Sequence, residues 1–515
     1  MKNLLVVGVG PHARRNHLPT LTAGREAGLV GTVIGVDLQH AADEIAAFNA
    51  AAAGQPLPVT LIAPFDPACR TLPAPVRDTL DRLVREHAID AVVVSTEPAF
   101  HMVYTHWALG RGLSVLLDKP LSVHTNCSVD PYRASAILTD FDEVLGRYEA
   151  VRRTRPEVLV AVQCQRRHHP AFLRMRELIA EIAEETNCPL TSVQSFHSDG
   201  QWRMPNELID ISYHSFDQGY GKCAHSGYHF FDIVPWLLRA GETPGKELDS
   251  VEVHANFSRP GDFLAQLDLD DYARLFPEFE AGNPYTQSQL LTATESFGEV
   301  DAFVSMAYKS GGRTMTLGSI NLVHNGFSQR GRFAPARANL YKGNGRVRHE
   351  SHILQQGPFQ AIHFHSLQTL AGDGDEEDGD AYGIGGRGHI EVHVFRNSGF
   401  NPRWKKYETL DYDALSTVTA SGPQEPTQSS SRRRAVQEFL EYVNGLRGRE
   451  EMSSELVDHR RGSTLMAGAY LSAAQQWTGG PAVARLDFRP NEGAAPRPDA
   501  GPGGGSTPDL MDVSL

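Results

Sequence analysis

Lys119 and His229 stand in two short blocks whose residues suit the handling of an alcohol proton. The first block is Asp118-Lys119-Pro120-Leu121, directly after the apolar run Ser114–Leu117. A lysine on such a strand-end rim can hydrogen-bond a substrate hydroxyl and a nucleotide ribose, and its charge lowers the pKa of that hydroxyl. An exposed surface lysine is the plainer alternative. The second block runs Gly221-Lys222-Cys223-Ala224-His225-Ser226-Gly227-Tyr228-His229-Phe230-Phe231-Asp232. A helix starting near Gly227 sets His225, His229 and Asp232 near one face by i, i+4, i+7 spacing. A histidine there can accept a proton from an alcohol while hydride leaves its carbon. It can equally cap the helix, with Asp232 bonding backbone. A paired-histidine metal site lacks the glutamate of H-E-x-x-H, so no metal is expected.

Two further motifs point to what would receive the hydride. Gly8-Val9-Gly10-Pro11-His12-Ala13 follows the apolar run Leu4–Val9 and opens a helical stretch. Gly8 allows the tight turn, Gly10 lets backbone approach a pyrophosphate, and Ala13 replaces the third glycine where helix packs on strand. Free N–H groups of the helix N-terminus then face the phosphates. Asp37 ends the next strand, Val33–Val36. Its carboxylate suits the adenine ribose hydroxyls and repels a 2′-phosphate, which favours NAD over NADP; a cap or turn role is its alternative. Ser95-Thr96-Glu97-Pro98-Ala99-Phe100-His101 closes the fourth strand, where ligands of such sheets sit, or it is an ordinary proline-punctuated turn.

Strands alternating with helices are needed to hold these blocks together. Leu4–Val9, Val33–Val36, Val59–Ile62, Ala91–Ser95, Ser114–Leu117 and Val158–Gln163 read as buried parallel strands separated by helical patterns. The expected fold is α/β plus α+β. A doubly wound Rossmann domain occupies residues 1–165, and a substrate-binding domain on a large, mostly antiparallel open sheet occupies 166–430. Its expected strands are Ser192–His197, Ser250–Phe257, Val300–Tyr308, Arg313–Leu322, Ala338–Tyr341, Phe359–His365 and His389–Arg396. Gly372–Gly388 reads as an acidic, glycine-rich insertion; Asp378 stands where a calcium loop requires glycine. Ser416–Arg434 reads as a polar linker, 431–489 as helices and a strand completing the fold, and 490–515 as a disordered tail.

A net charge of −14 over 515 residues argues against nucleic acid as a partner. The first apolar run is too short for a signal-peptide core or a membrane span. Cys69, Cys127, Cys164, Cys188 and Cys223 show no metal-ligand spacing, and reduced thiols in a cytoplasmic protein are expected.

Four blocks in one order resemble the glucose–fructose oxidoreductase / inositol dehydrogenase (Gfo/Idh/MocA) family: GVGPHA; STEPAFH with ALGRGLSVLLDKPL; HSGYHFFDIVPWLL; and RAVQEFLEYVNG with GAYLSAAQ. The resemblance is dense over 1–240 and 434–480 and weak over 258–430. It implies dinucleotide contacts at Gly8, Gly10, Ala13, Asp37, Thr96, Pro98, His101 and Lys119, and catalytic roles for Lys119 and His229. Arg166 and Trp202 are implied to reach the substrate. The family's usual aspartate four residues before the histidine is His225 here, so a proton relay or substrate reading at that position stays open. Implied, too, are a sugar or polyol substrate, hydride transfer from a ring secondary alcohol, and a homodimer or homotetramer. The alternatives are tightly bound NAD serving transient oxidation in glycoside cleavage or epimerisation, and a non-catalytic dinucleotide-binding regulator.

Overall fold

The computed structural model describes residues 1–51, 56–211, 214–277, 279–328, 330–331, 347–367, 389–419 and 422–489. The strand expected at Ala338–Tyr341, the acidic stretch 372–388 and the tail 490–515 lie outside the described residues.

Six parallel strands form the first sheet: β1 Lys2–Val7, β2 Val30–Leu38, β3 Val59–Ile62, β4 Ala91–Val94, β5 Ser114–Leu117 and β6 Val160–Val162. Their order is β3-β2-β1-β4-β5-β6. β4 and β5 are buried at every residue, which is why they read as unbroken apolar runs. The order reverses between β1 and β4, so a crevice opens beyond the carboxyl ends of those two strands.

The second sheet is built from β7 Ser192–Ser198, β8 Ser250–Ser258, β9 Asp301–Ser310, β10 Arg313–Val323, β11 His349–Gln356, β12 Gln360–Leu367, β13 Ile390–Arg396 and β14 Tyr407–Leu410. A short hairpin, β15 Thr417–Thr419 with β16 Gly422–Gln424, stands apart, and β17 Val483–Asp487 pairs with β8. The nine-stranded order is β14-β13-β12-β11-β7-β10-β9-β8-β17. β7 and β10 pair in parallel, and the other neighbours run antiparallel. Helices Pro170–Thr186, Tyr228–Ala240 and Arg460–Trp477 cover one face through Ile179, Val234 and Met466, packed with Val253, Leu354 and Phe364. On the other face Phe303, Leu317 and Leu367 are exposed among the described residues.

Three local expectations change. The linker read at Ser416–Arg434 holds β15, β16 and the start of helix Gln428–Val443, whose N-cap Thr427 accepts a hydrogen bond from Ser430 N–H. Ser431 is wholly buried there, so a polar face is turned inward and hides the helical period. That helix also returns to the first domain: Val436, Phe439 and Leu440 pack on Leu4, Val6, Ala13 and Leu21. Between β8 and β9, where strand signals were expected to dominate, lie short helices, among them Pro260–Gln266, Leu269–Leu275 and Gln287–Ala293. Finally, β11 was not expected, because its buried positions are Glu350, His352, Leu354 and Gln356. An alternating strand whose inward side chains are mostly polar carries no apolar period.

Candidate active site

The glycine loop and the end of β2 form one end of a cleft of about 740 Å³ at the reversal point of the first sheet. Gly8 has φ of +87°, and a Cβ there would lie 2.3 Å from the carbonyl oxygen of Ser95. Only glycine fits that turn. Gly10 lines the cleft, and a Cβ on it would meet nothing within 4 Å, so the loop leaves an open cradle for a bulky group. Helix 11–26 starts here, with Arg14 N–H bonding Gly10 C=O and a π turn at Ala13–His17. The Asp37 carboxylate accepts from Val9 N–H at 2.8 Å and from Leu38 N–H at 2.7 Å, which fixes it on the cleft wall. Phosphates fit the cradle and ribose hydroxyls fit the acid.

The rim beyond β4 and β5 is braced by His101. Its ring nitrogens lie 2.6 Å from Pro120 C=O and 2.9 Å from Thr96 C=O, so it ties the two motif segments together. Thr96 and Pro98 line the cleft; His101 and Ala13 are buried behind it. Asp118 accepts from Ser95 Oγ at 2.6 Å and pairs with His17 Nε2 at 2.9 Å. Burial alone would raise its pKa, but the imidazoles of His12 and His17 and these hydrogen bonds hold it well below the usual carboxylate range. Lys119 reaches across to the second domain, and its ammonium donates to the backbone carbonyl of His225. Burial pushes Lys119 down to about 8, with Cys164 and Asp118 opposing and Arg432 and Arg166 adding to the fall.

The helix that carries the histidines begins earlier than Gly227. Lys222 is already helical, and a π turn spans Cys223–Gly227 before the α-helix Tyr228–Ala240. Such turns widen a helix locally and often mark functional sites. The widening breaks the simple one-face relation. His225 and His229 both line the cleft, whereas Asp232 points away and is clamped by Arg167 at 2.7 Å, with His459 Nδ1 2.9 Å away. His225 packs against the His214 ring, centroids 4.7 Å apart, and against Tyr220 and Phe216. His229 is 8% exposed, and its Nδ1 has no hydrogen-bond partner among the described residues. Burial, then the charges of Arg166, Lys119, Arg432 and Arg348, hold its pKa well below the usual histidine value. The imidazole is therefore neutral at physiological pH and free to accept a proton.

Arg166 and Trp202 are not brought to the cleft lining. Arg166 forms a bidentate pair with Glu350, its Nε donating to Oε1 at 2.8 Å, and stacks over Phe230. Trp202 donates to Tyr272 Oη at 2.9 Å and packs on Phe276, anchored by the short helices after β8. In their place the cleft holds residues that sequence reasoning passed over. Lys222 bonds Asp199 at 2.5 Å, Ser226 Oγ at 2.9 Å and His197 Nδ1 at 3.0 Å, and His324 Nδ1 lies 3.2 Å from the same carboxylate. Gln163, Gln165, Arg348 and Arg432 complete this end. Lys222 sat inside a block already singled out, and Asp199 and His324 follow the ends of two strands; those were the available signals.

Two groups of ligand-type side chains converge among the described residues, His12–His17–Asp118 and Cys164–Asp232–His459. In each, the carboxylate is already engaged, by Ser95 and His17 in one and by Arg167 and His459 in the other. Both read as hydrogen-bonded clusters around a buried carboxylate, the second with the Arg167–Asp232 ion pair.

Residues 2–130 match the family model described as oxidoreductase family, NAD-binding Rossmann fold, named GFO_IDH_MocA. The fold recurs in an oxidoreductase domain protein from Kribbella flavida, with TM-score 0.52 and 12% identity over 95% of this chain and 100% of that one. An oxidoreductase from Agrobacterium radiobacter, solved with NAD+, L-tartaric acid and magnesium, gives TM-score 0.50 at 12% identity over 95% and 98%. The WlbA dehydrogenase from Bordetella pertussis, solved with NADH and UDP-GlcNAcA, gives TM-score 0.50 at 13% identity over 95% and 99%. No curated protein sequence matches the chain. The match covers most of the first domain and makes residues 2–130 similar to an NAD-binding Rossmann fold of the oxidoreductase type.

Proposed function

We propose that this NAD-binding oxidoreductase acts on a ring secondary alcohol of a sugar, cyclitol or related polyol. The observation that carries the reading is His229: a buried, neutral imidazole with a free ring nitrogen, in the same cleft as the Lys119 ammonium. Bound NAD supplies the hydride acceptor. His229 takes the hydroxyl proton, and Lys119, held by the His225 carbonyl, donates to the same oxygen and favours its alkoxide character. Gln163 Oε1 and Gln165 Nε2 are buried, lack partners among the described residues and line the cleft; they orient neighbouring hydroxyls. NADH formation across a panel of polyols tests this, and a panel that yields none in any member would sink it.

NADH should bind more tightly than NADPH, by fluorescence titration. Asp37→Ala should narrow that gap, because it removes from this end of the cleft the carboxylate that repels a 2′-phosphate. Tighter NADPH binding by the wild type would contradict the assignment of Asp37.

A cytoplasmic protein that assembles as a homodimer or homotetramer completes the reading. No described helix is long and apolar enough to cross a membrane. All five cysteines are free thiols, which supports a reducing compartment. The open sheet face carries Leu317, Leu367 and Phe303 at 61, 52 and 50% exposure, with Phe395 and Tyr407 beside them. A second copy of the chain suits so large an apolar face. The same face bears His349, His363, His365 and His393, with Glu391 opposite His365. Partial burial, then charge repulsion from His393, lowers His363 and His365. Covering the face makes protonation costlier still, so assembly should weaken as pH falls below that of unperturbed histidine. Light scattering across that range checks it; a monomer at neutral pH would refute the assembly.

A further inference from the structure

The parallel pairing of β7 with β10 sets two polar residues side by side on the wall of the cleft. Ser198 and Val323 end the two strands as register partners, and Asp199 N–H donates to Val323 C=O, so Asp199 and His324 follow as neighbours. His324 is then held from three sides. Its backbone N–H donates to Asp301 at 2.6 Å, its Nδ1 lies 3.2 Å from the Asp199 carboxylate, and its ring meets Phe216 edge-on with centroids 5.3 Å apart. The residue is 5% exposed and lines the cleft. Burial pushes the imidazole down to about 4, with the Asp199 hydrogen bond opposing and Arg203 adding to the fall. A neutral ring carries one N–H, and a carboxylate only accepts, so that proton sits on Nδ1. Nε2 keeps a lone pair. It is buried and has no hydrogen-bond partner among the described residues. An acceptor buried without a partner costs stability until a ligand brings a donor to it.

His229 and His324 serve different parts of the cleft. The cations acting on His229 are Arg166, Lys119, Arg432 and Arg348, whereas those acting on His324 are Arg203 and Lys222. Oxidation of one alcohol needs one proton acceptor, and His229 supplies it. We propose that His324 is a specificity-determining residue whose Nε2 accepts a hydrogen bond from a second substrate hydroxyl, one that is not oxidised. The inference rests on the alcohol-oxidation reading and adds what the cleft demands of its substrate. Because Nε2 only accepts, the group it meets must donate. A hydroxyl fits, whereas a hydrogen, or a fluorine in the same place, leaves the nitrogen unpaired. Such a hydroxyl is bound alike in the ground state and the transition state, so its loss raises KM and leaves kcat nearly unchanged.

The test uses the full chain with D-glucose, D-galactose and myo-inositol, each beside its monodeoxy and monodeoxyfluoro derivatives. Binding is read by calorimetry on the NADH-saturated protein and turnover by NADH formation from NAD+, as separate measurements. For the probe bound most tightly, one hydroxyl other than the oxidised one should be critical. Its deoxy and deoxyfluoro forms should both bind about 10- to 100-fold more weakly than the parent. His324→Phe should bring parent and derivatives to nearly equal affinity, raising KM for the parent with little change in kcat. His324→Gln, whose amide oxygen also accepts, should restore part of the discrimination, and this checks that its loss does not merely follow misfolding. A deoxyfluoro form that binds as well as the parent at every position would overturn the proposal. So would discrimination that survives His324→Phe, a fall in kcat as large as His229→Ala produces, or no binding by any probe at millimolar concentration. Discrimination in binding without NADH formation would support the role of His324 and count against the alcohol-oxidation reading; NADH formation with no hydroxyl read through His324 would do the reverse.

Discussion

Lys119→Ala should lower kcat by about 10²- to 10⁴-fold, the usual contribution of a positioned proton-transfer group, while NAD still binds. The reason lies in where the ammonium sits. It bridges the Rossmann rim and the second domain by donating to the His225 carbonyl, and it lies away from the Gly8–Gly10 cradle and the Asp37 carboxylate. Losing it removes the ammonium that the proposed reaction sets against the reacting oxygen and its tie to the His225 carbonyl, but leaves the Gly8–Gly10 cradle and Asp37 in place. Fluorescence titration with NADH separates the effects. A loss of NADH affinity as large as the loss of kcat would place Lys119 in cofactor binding alone.

His229→Ala should show a loss of the same order, with a signature in pH. Its imidazole is held well below the ordinary histidine value, first by burial and then by the four cations, so the base form prevails at neutral pH. A lowered pKa means the proton-accepting form is lost only when pH falls below that depressed value. Lys119, pushed down to about 8, loses its proton as pH rises through that value. The wild-type kcat/KM profile should therefore be flat through neutrality and fall on the alkaline side near pH 8. His225→Asp places a carboxylate close to Lys119, where it favours the charged ammonium, and should move that alkaline limb upward. An unmoved limb would mean that Lys119 is not the group titrating. The Lys119→Ala, His229→Ala double variant should lose little more than the worse single one, because the proposed reaction has both act on one oxygen.

The first domain was legible because its strands are buried on both faces and its motifs fall at strand ends, where apolar runs and glycine spacing leave a plain trace. The substrate end was legible only in part. His225 and His229 were found, but the π turn at Cys223–Gly227 altered which way their neighbours face and took Asp232 into a buried clamp with Arg167. Arg166 and Trp202 were drawn toward the cleft by resemblance alone, and Glu350 and Tyr272 hold them elsewhere. Glu350 could not be anticipated, since β11 turns glutamate, histidine and glutamine inward and so erases the pattern by which a strand is recognised. Arg348 and Arg432 reach the cleft from residues far along the chain, and only the folded structure brings them beside His229.

Hydride transfer from a substrate carbon to NAD is the central claim, and isotopic labelling tests it most directly. A sugar or polyol substrate from the active panel is deuterated at the oxidised carbon and incubated with the protein and NAD+ in ordinary water. Mass analysis of the NADH then reports where its new hydrogen came from. The account predicts that the deuterium is carried into NADH, with Lys119→Ala and His229→Ala slowing its appearance. NADH that lacks the label, or label transfer undiminished in both variants, would contradict it.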